Sequence, residues 1–287
     1  MEVGPLVEKP DWDAYALLDS GSRRKLERFG EHTLIRGEPK AWWLADRGER
    51  AWRNAAAEIG DGSGNWRLHG QTPRSWLMRY GKVTMEARLT DMSKHVGVFP
   101  EQEPHWRWLR TRLAKMPNAR VLNLFGYTGI ASLVCAAEGA QVTHVDASKP
   151  ALNWARQNQQ LSGLDKAPIR WLLDDAFKFV GREVRRERRY DVILLDPPSF
   201  GRGPRGEVWK VEQQITQLFD SIRQLLSGKR CLVILTLYNL EASSLMLNGL
   251  MQDYFPGGRH EFGELALPCR EQRRLLPLSL FARWESD

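Results

Sequence analysis

Tyr190-Asp191-Val192-Ile193-Leu194-Leu195 runs directly into Asp196-Pro197-Pro198-Ser199-Phe200. The first stretch is rich in branched apolar residues, as a strand buried on both faces of a parallel sheet must be. Two prolines cannot continue that strand, so the backbone leaves the sheet at its carboxyl end in an extended conformation. Open α/β sheets bind ligands at those carboxyl ends. An acid, rigid turned-out carbonyls and an aromatic ring there suit a clamp for a flat polar group. The same residues also read as a proline-rich strand terminator with a helix-capping Asp, and the upstream sequence decides between the two.

Upstream, Arg120-Val121-Leu122-Asn123-Leu124 leads into Phe125-Gly126-Tyr127-Thr128-Gly129 and then into the small, helix-forming stretch Ala131 to Ala137. Glycines at a strand-to-helix turn let backbone approach a ligand, and a helix N-terminus favours polar or anionic groups. Two glycines fall short of the full dinucleotide fingerprint. A second strand, Gln141 to Asp146, ends in an acid at about the distance downstream expected of a ribose-hydroxyl acceptor. A third, Ile169 to Leu173, ends in Asp174-Asp175-Ala176. One strand-end acid is commonplace as a helix N-cap. Acids after three further strands, following a glycine turn, exceed what capping explains.

In this order the residues resemble the class I S-adenosylmethionine-dependent methyltransferases. More narrowly, Asn123 to Gly129, Asp196 to Phe200 and the Gly97-Val98-Phe99-Pro100-Glu101-Gln102 stretch are similar to a bacterial group that includes enzymes of large-subunit ribosomal RNA. The resemblance covers roughly residues 80 to 285, and its motifs are more specific for cofactor than for substrate. It implies S-adenosyl-L-methionine as cofactor, held by Phe125, Gly126, Tyr127, Thr128, Gly129, Asp146, Ala147, Ser148, Asp174, Asp175, Ala176 and Asp196. Asp146 would accept the ribose hydroxyls, and Asp175 rather than Asp174 the adenine amino group. Asp196, Pro197, Pro198 and Phe200 would face the transferring methyl as the catalytic set. No metal is implied.

Composition agrees with a soluble enzyme. The chain has 287 residues, enough for one large α/β domain and a small second one. Hydrophobic residues at 42% and charged ones at 27% are ordinary for a globular protein, which argues against a disordered or membrane-spanning chain. The N-terminus carries no targeting pattern, and the longest apolar run, Cys231 to Leu240, is too short for a bilayer. Three cysteines lack both a disulfide framework and metal-ligand spacing, so cytoplasm is the expectation. A net charge of +7 leans toward an anionic partner. The Arg182–Arg189 run alternates with Glu183 and Glu187 and reads as a self-paired helix face. Arg202 and Arg205, in a Gly/Pro-rich loop after the Asp-Pro-Pro turn, suit phosphate contacts, and ordinary surface arginine explains them almost as well.

From Glu103 onward, strand and helix alternate. Helices are expected at 105–115, 129–138, 149–162, 176–188, 207–226 and 241–254, with a fifth strand at Cys231 to Tyr238. Two strand-like stretches, Arg259 to Leu267 and Leu276 to Trp284, follow with no helix between them. The expectation is a doubly wound, Rossmann-like, seven-stranded sheet closed by an antiparallel hairpin. A plain dinucleotide-binding fold would keep alternating. Residues 1–98 form short turn-punctuated stretches, read as a small, mainly β domain of possible substrate-recognition use, with residues 99–287 the catalytic domain. Strands are expected at 15–20, 32–36, 40–46, 65–70, 76–80 and 83–89, and a short helix at 50–59. Trp42, Trp43, Trp52, Trp66 and Trp76 crowd this region; core filling comes ahead of base stacking.

The acceptor is read from what stands at the end of the fifth strand. Methylation at carbon 5 of a pyrimidine needs a thiolate that adds to the ring first. In ribosomal RNA enzymes of that type a cysteine follows the threonine there, whereas this chain has Thr236-Leu237-Tyr238-Asn239. A nitrogen acceptor in an RNA base therefore fits better, unless Cys269 folds back into the site. Tyr238 would line the substrate pocket with Arg202 and Arg205. Two other classes stay open: a methyltransferase for a small molecule or protein side chain, and, more remotely, an NAD-dependent oxidoreductase. Roles for His105 and Trp106 are open as well.

Overall fold

The computed structural model describes residues 4–60, 64–91, 93–228, 230–269 and 274–287. Two compact units result: Met1–Glu8 with His105–Leu265 and Ser279–Asp287, and Lys9–Pro104 with Ala266–Leu278. Strand β1 (Leu6–Glu8) belongs to the first.

The N-terminal unit holds β2 (Tyr15–Gly21), β3 (Arg24–Phe29), β4 (His32–Gly37), α1 (Glu49–Arg53), β5 (Ala57–Ile59) and β6 (Arg67–Leu68). Its five strands form one sheet in that order, and β7 (Ser75–Tyr80) pairs separately with β8 (Val83–Arg88). The expected strand at 40–46 is absent, and the expected helix at 50–59 is two elements, α1 and β5. Ala57 to Ile59 leaves the helical pattern because it pairs in parallel with β4, a partner local sequence does not reveal. Trp52 and Trp66 are buried, with their indole N–H groups donated to Asp19 and to the Ser93 carbonyl, whereas Trp42 is exposed. Core filling is what two of the five rings do, with Trp43 and Trp76 half-buried.

The larger unit follows: α2 (Glu103–Leu113), β9 (Arg120–Leu124), α3 (Ile130–Ala137), β10 (Gln141–Asp146), α4 (Lys149–Leu161), β11 (Ile169–Leu173), α5 (Ala176–Arg185) and β12 (Val192–Leu195). Then come β13 (Phe200–Arg202), β14 (Val208–Lys210), α6 (Val211–Leu225), β15 (Leu232–Leu237), α7 (Ser244–Tyr254), β16 (Arg259–Pro268) and β17 (Leu275–Glu285). The sheet order is β1-β16-β17-β15-β12-β9-β10-β11. Strands β11, β10, β9, β12 and β15 are mutually parallel, and β17 runs antiparallel to β15. This is the expected fold class, with β1 added as an eighth strand parallel to β16. Three residues are too few to show a strand period, so the sequence was silent about it.

Side chains alternate between two cores, as a strand period of two requires. Leu122, Leu124, Ile193, Leu195, Val233 and Leu235 pack with α5, α6 and α7 on one face. Val121, Val192, Leu194, Leu232 and Ile234 pack with α2 and α3 on the other. Every residue of β12 and β15 is buried. Each such side chain contributes roughly 1.5–3 kcal/mol of transfer free energy, which is why central parallel strands read as unbroken apolar runs.

The 202–205 segment departs from expectation in part: Arg202 ends strand β13, with Gly201 opposite Trp209, while 203–207, Arg205 included, is the turn that leads to β14. The glycine- and proline-rich sequence masked the pairing, because Gly203, Pro204 and Gly206 build the turn while the alternation lies in only three residues on each side.

Candidate active site at the sheet's switch point

Strand β9 has β10 and β11 on one side and β12 and β15 on the other, so chain direction across the sheet reverses between β9 and β12. Crevices of open α/β sheets form outside the carboxyl ends at such a point. Register fixes what stands there. Leu124 pairs with Leu195 and with Val145, and Leu195 pairs with Leu235. The next residues, Thr236, Asp196, Phe125 and Asp146, therefore form one row across the sheet edge, with Asp174 one step past Leu173, the partner of Asp146. The sequence-predicted residues from four loops are brought together by that row.

The glycine loop is strained and heavily braced. Phe125 and Tyr127 have φ of 59° and 50°, and Gly129 has 80°. Bulky residues in the left-handed region cost on the order of 1–3 kcal/mol each and persist only where surroundings over-determine them. Here Tyr127 N donates to Asp146 Oδ2 at 2.8 Å, and the Phe125 ring lies 5.1 Å from that of Trp209. A Cβ on Gly126 would fall 2.3 Å from His144 Cε1, and one on Gly129 2.8 Å from the Trp171 ring. The missing side chains thus admit the protein's own rings beneath the loop. Those rings belong to a neutral network: Asn123 Nδ2 donates to Ser132 Oγ at 2.9 Å, which lies 3.0 Å from His144 Nδ1. Trp171 Nε1 donates to Gln159 Oε1 at 2.8 Å. Burial pushes the His144 imidazole down to about 3.

Each Asp146 oxygen accepts one backbone N–H, from Tyr127 and from Ser148, both at 2.8 Å. Burial nevertheless raises its pKa, the two N–H groups offsetting part of the rise. Each oxygen keeps a second lone pair. Ser148 caps α4 by accepting from Ala151 N. Helix α3 begins at Gly129 with no side-chain cap, so its first-turn N–H groups are not satisfied by a side chain. Asp175 caps α5, its Oδ1 accepting from Lys178 N at 2.8 Å. Asp174 accepts from Asp175 N through Oδ1 and pairs with Arg182 through Oδ2. A strand-end carboxylate with acceptor capacity to spare, beside an uncapped helix start, suits a ligand carrying both hydroxyls and a carboxylate.

Beyond Asp196 the chain is pinned by a residue the sequence reading did not single out. Trp209 Nε1 donates to the Pro198 carbonyl at 2.8 Å, leaving Pro197 as the turn's other rigid carbonyl. Phe200 is 53% exposed, and Arg202 and Arg205 are exposed. Tyr238 lies just past β15 and is half-buried. Thr236, in the row beside Asp196, is held from behind: Arg283 Nε donates to His105 Nδ1 at 2.9 Å, so His105 Nε2 carries the proton donated to Thr236 Oγ1 at 3.1 Å. Arg283 is anchored by Glu8 and Glu261. Burial, then Arg283, hold the His105 pKa well below its usual value. His105 follows the Gly97–Gln102 stretch in charge-rich α2, and its contacts with Thr236 and Arg283 lie far along the chain, where no spacing rule points.

Within the larger unit no thiol stands at the carboxyl edge among the described residues. Cys231 precedes β15 at its amino end, Cys135 is a core-facing residue of α3, and Cys269 belongs to the other unit, its Sγ donating to the Leu18 carbonyl. Nor does any cluster of described His, Cys, Asp and Glu side chains suit a metal ion.

A Rossmann-like sheet with a glycine turn, a strand-end acid and an Asp-Pro-Pro turn in register defines a class of group-transfer enzymes. The S-adenosylmethionine-dependent methyltransferase family model matches residues 43–236, and the chain belongs to that family. It is accordingly an S-adenosylmethionine-dependent methyltransferase, with S-adenosyl-L-methionine as cofactor. A crystal structure of the SAM-dependent methyltransferase from Agrobacterium tumefaciens is 43% identical, with a TM-score of 0.94 over 99% of this chain and 94% of that one. Ribosomal RNA large subunit methyltransferase I of Aeromonas salmonicida (strain A449) is 41% identical over 138 residues, 46% of this chain. Ribosomal RNA large subunit methyltransferase K/L of Legionella pneumophila (strain Corby) is 31% identical over 168 residues, 58% of this chain. The matches span 33% and 23% of those two relatives' lengths.

Proposed function

We propose that this enzyme methylates a nitrogen of a base in RNA, with ribosomal RNA the first acceptor to test. The observation that carries the reading is the register row that sets Asp196 level with the glycine loop and Asp146. The relatives named as ribosomal RNA methyltransferases, and the net charge of +7, support RNA. The lack of a thiol at the carboxyl edge among the described residues of the larger unit supports nitrogen over carbon 5.

When bound, the cofactor's sulfonium supplies the methyl group and leaves as a neutral thioether, so no general acid is required. The protein's part is alignment first and charge complementarity second. Asp146 offers its two remaining lone pairs to the ribose hydroxyls, and the N-terminus of α3 offers its N–H groups to the amino-acid carboxylate. Asp175 accepts the adenine amino group through the oxygen not engaged in capping. Asp196 and the Pro197 carbonyl accept hydrogen bonds from an exocyclic amine, directing its lone pair. As the N–CH3 bond forms, the displaced N–H proton passes to Asp196. Phe200 stacks on the ring, Tyr238 lines the pocket, and Arg202 and Arg205 hold phosphates. A base within a helix must first be unstacked. Residence in the cytoplasm belongs to the same reading, and no described helix is long and apolar enough to cross a membrane.

Transfer of labelled methyl from the cofactor to ribosomal RNA tests this. The label should vanish on nuclease digestion, survive protease, appear as an N-methylated base, and drop at least 100-fold with Asp196→Ala. Label in protein or in a small molecule would replace RNA as acceptor, and 5-methylcytosine would overturn the nitrogen assignment.

A further inference from the structure

The β13–β14 ribbon has two unlike faces. Phe200 pairs with Lys210, Gly201 with Trp209 and Arg202 with Val208. Alternation sends Gly201 and Trp209 to one face and the other four to the opposite face. The first face is fixed to the site. Trp209 is 3% exposed, donates to the Pro198 carbonyl at 2.8 Å and packs on Phe125 of the glycine loop. Val211 N closes the base of the ribbon on the Ser199 carbonyl at 3.1 Å. At the tip, a Cβ on Gly203 would lie 3.0 Å from Asp175 Oδ2, so the turn sits against the start of α5.

The second face is open. Phe200 and Val208 are 53% and 50% exposed, large values for apolar side chains on an ordered strand, and Arg202 and Lys210 are exposed beside them. Each cross-strand pair sets one cation next to an apolar side chain in two rows, Phe200–Lys210 and Arg202–Val208. Neither Arg202 nor Lys210 has a carboxylate partner among the described residues, whereas the ribbon's acid, Glu207, is occupied by Lys178 at 2.8 Å. Residues 200–210 carry three basic side chains and this one acid.

We propose that this face is a platform for unpaired RNA flanking the target nucleotide, extending outward from Phe200 over Arg202, Val208 and Lys210. Apolar surface interleaved with unpaired cations matches an unpaired strand, which offers stacking faces and phosphates together. A duplex hides its bases and offers phosphates alone. Because Trp209 ties the ribbon to both the Pro-Pro turn and the glycine loop, a strand held on the outer face is held in fixed relation to the reacting centre. Val208 and Lys210 thereby become recognition residues. The proposal rests on the RNA reading of the site, but its test separates the two.

Binding of a fluorescent 12-nucleotide single-stranded RNA, and of the same sequence as a duplex, is measured by anisotropy across a salt series. The parent, Lys210→Gln and Val208→Glu are compared, with cofactor affinity measured calorimetrically on the same samples. Lys210→Gln should lower the slope of log K against log salt by about 0.7, the loss of one single-strand phosphate contact. Val208→Glu should weaken single-strand binding roughly five-fold or more, and neither should move cofactor affinity beyond two-fold. Both substitutions lie on solvent, so folding is preserved, and an unchanged unfolding transition verifies it. Parent-like single-strand binding by both variants, or a parent preference for duplex, would overturn the platform even if RNA is methylated. Loss of binding in the variants with no RNA methylation by the parent would keep the platform and reject the proposed acceptor.

Discussion

Behind the glycine loop the interior is polar but neutral, whereas the interior of the N-terminal unit is ionic. Asn123, Ser132 and His144 fix the loop with dipoles, and burial keeps His144 uncharged. In the N-terminal unit, fully buried Glu27 takes Arg36 at 2.7 and 2.8 Å, the Tyr15 hydroxyl at 2.8 Å and Lys25 at 3.6 Å, and Lys25 reaches Glu38 at 3.3 Å. Burial alone would raise the Glu27 carboxyl; Arg36 and Lys25 together bring it below its usual value. The difference teaches a division of labour. Buried ions pin one sheet's register at high desolvation cost. Behind the glycine loop the neutral backing leaves Asp146 as the charged group, whereas Arg283, Glu8 and Glu261 put an ionic cluster behind Thr236.

The largest effect should come from breaking the ionic interior. Glu27→Ala strands Arg36 and Lys25 and should cost about 3–5 kcal/mol in denaturant unfolding. Replacing Glu27 and Arg36 together by Met should recover most of that loss, and equal losses in the single and double variants would dismiss the ion-pair account.

Acid should attack the neutral interior instead. The folded pKa of His144, about 3, lies below the ordinary 6.5, so its contribution is fully present above about pH 6.5 and drains as pH falls toward 3. At pH 4 the loss should be about 3 kcal/mol. His144→Gln should flatten the stability–pH slope by about one proton over that window, and an unaltered slope would show that His144 is protonated in the fold.

Asp146→Asn should weaken cofactor binding by about 10- to 100-fold, roughly 1.4–2.8 kcal/mol, measured calorimetrically. Because burial raises the Asp146 pKa, affinity in the parent should fall at a pH above that at which an exposed aspartate titrates. Asp175→Asn compared with Asp174→Asn sharpens the adenine assignment. The smallest effect belongs to Trp209→Phe, which keeps the ring and loses the bond to the Pro198 carbonyl. About 1 kcal/mol of stability should go, with methyl transfer down a few-fold and cofactor affinity unchanged.

Legibility followed the source of each signal. Strands β9, β12 and β15 were readable because burial on both faces forces unbroken apolar runs. The turn at Asp196-Pro197-Pro198 was readable because proline cannot donate to a ladder. Strand β3 escaped because Lys25 and Glu27 are buried as ions, inverting the usual meaning of a charged residue. The ribbon escaped because its pairing spans three residues on each side. Trp209, His144 and His105 act through contacts distant in the chain, to which no spacing rule points.

By itself, then, the sequence determined the alternation of strand and helix, the identities of the strand-end acids and the two rigid turns, since these follow from local sterics and burial periodicity. Only the tertiary structure decided that Thr236, Asp196, Phe125 and Asp146 share one row and that Asp174 and Asp175 are already engaged in a pair and a cap. It alone decided that Phe200, Arg202, Val208 and Lys210 share one open face. Register and facing are relations between strands, set by which hydrogen bonds form across the sheet, and a one-residue slip would have changed both without altering a single local preference.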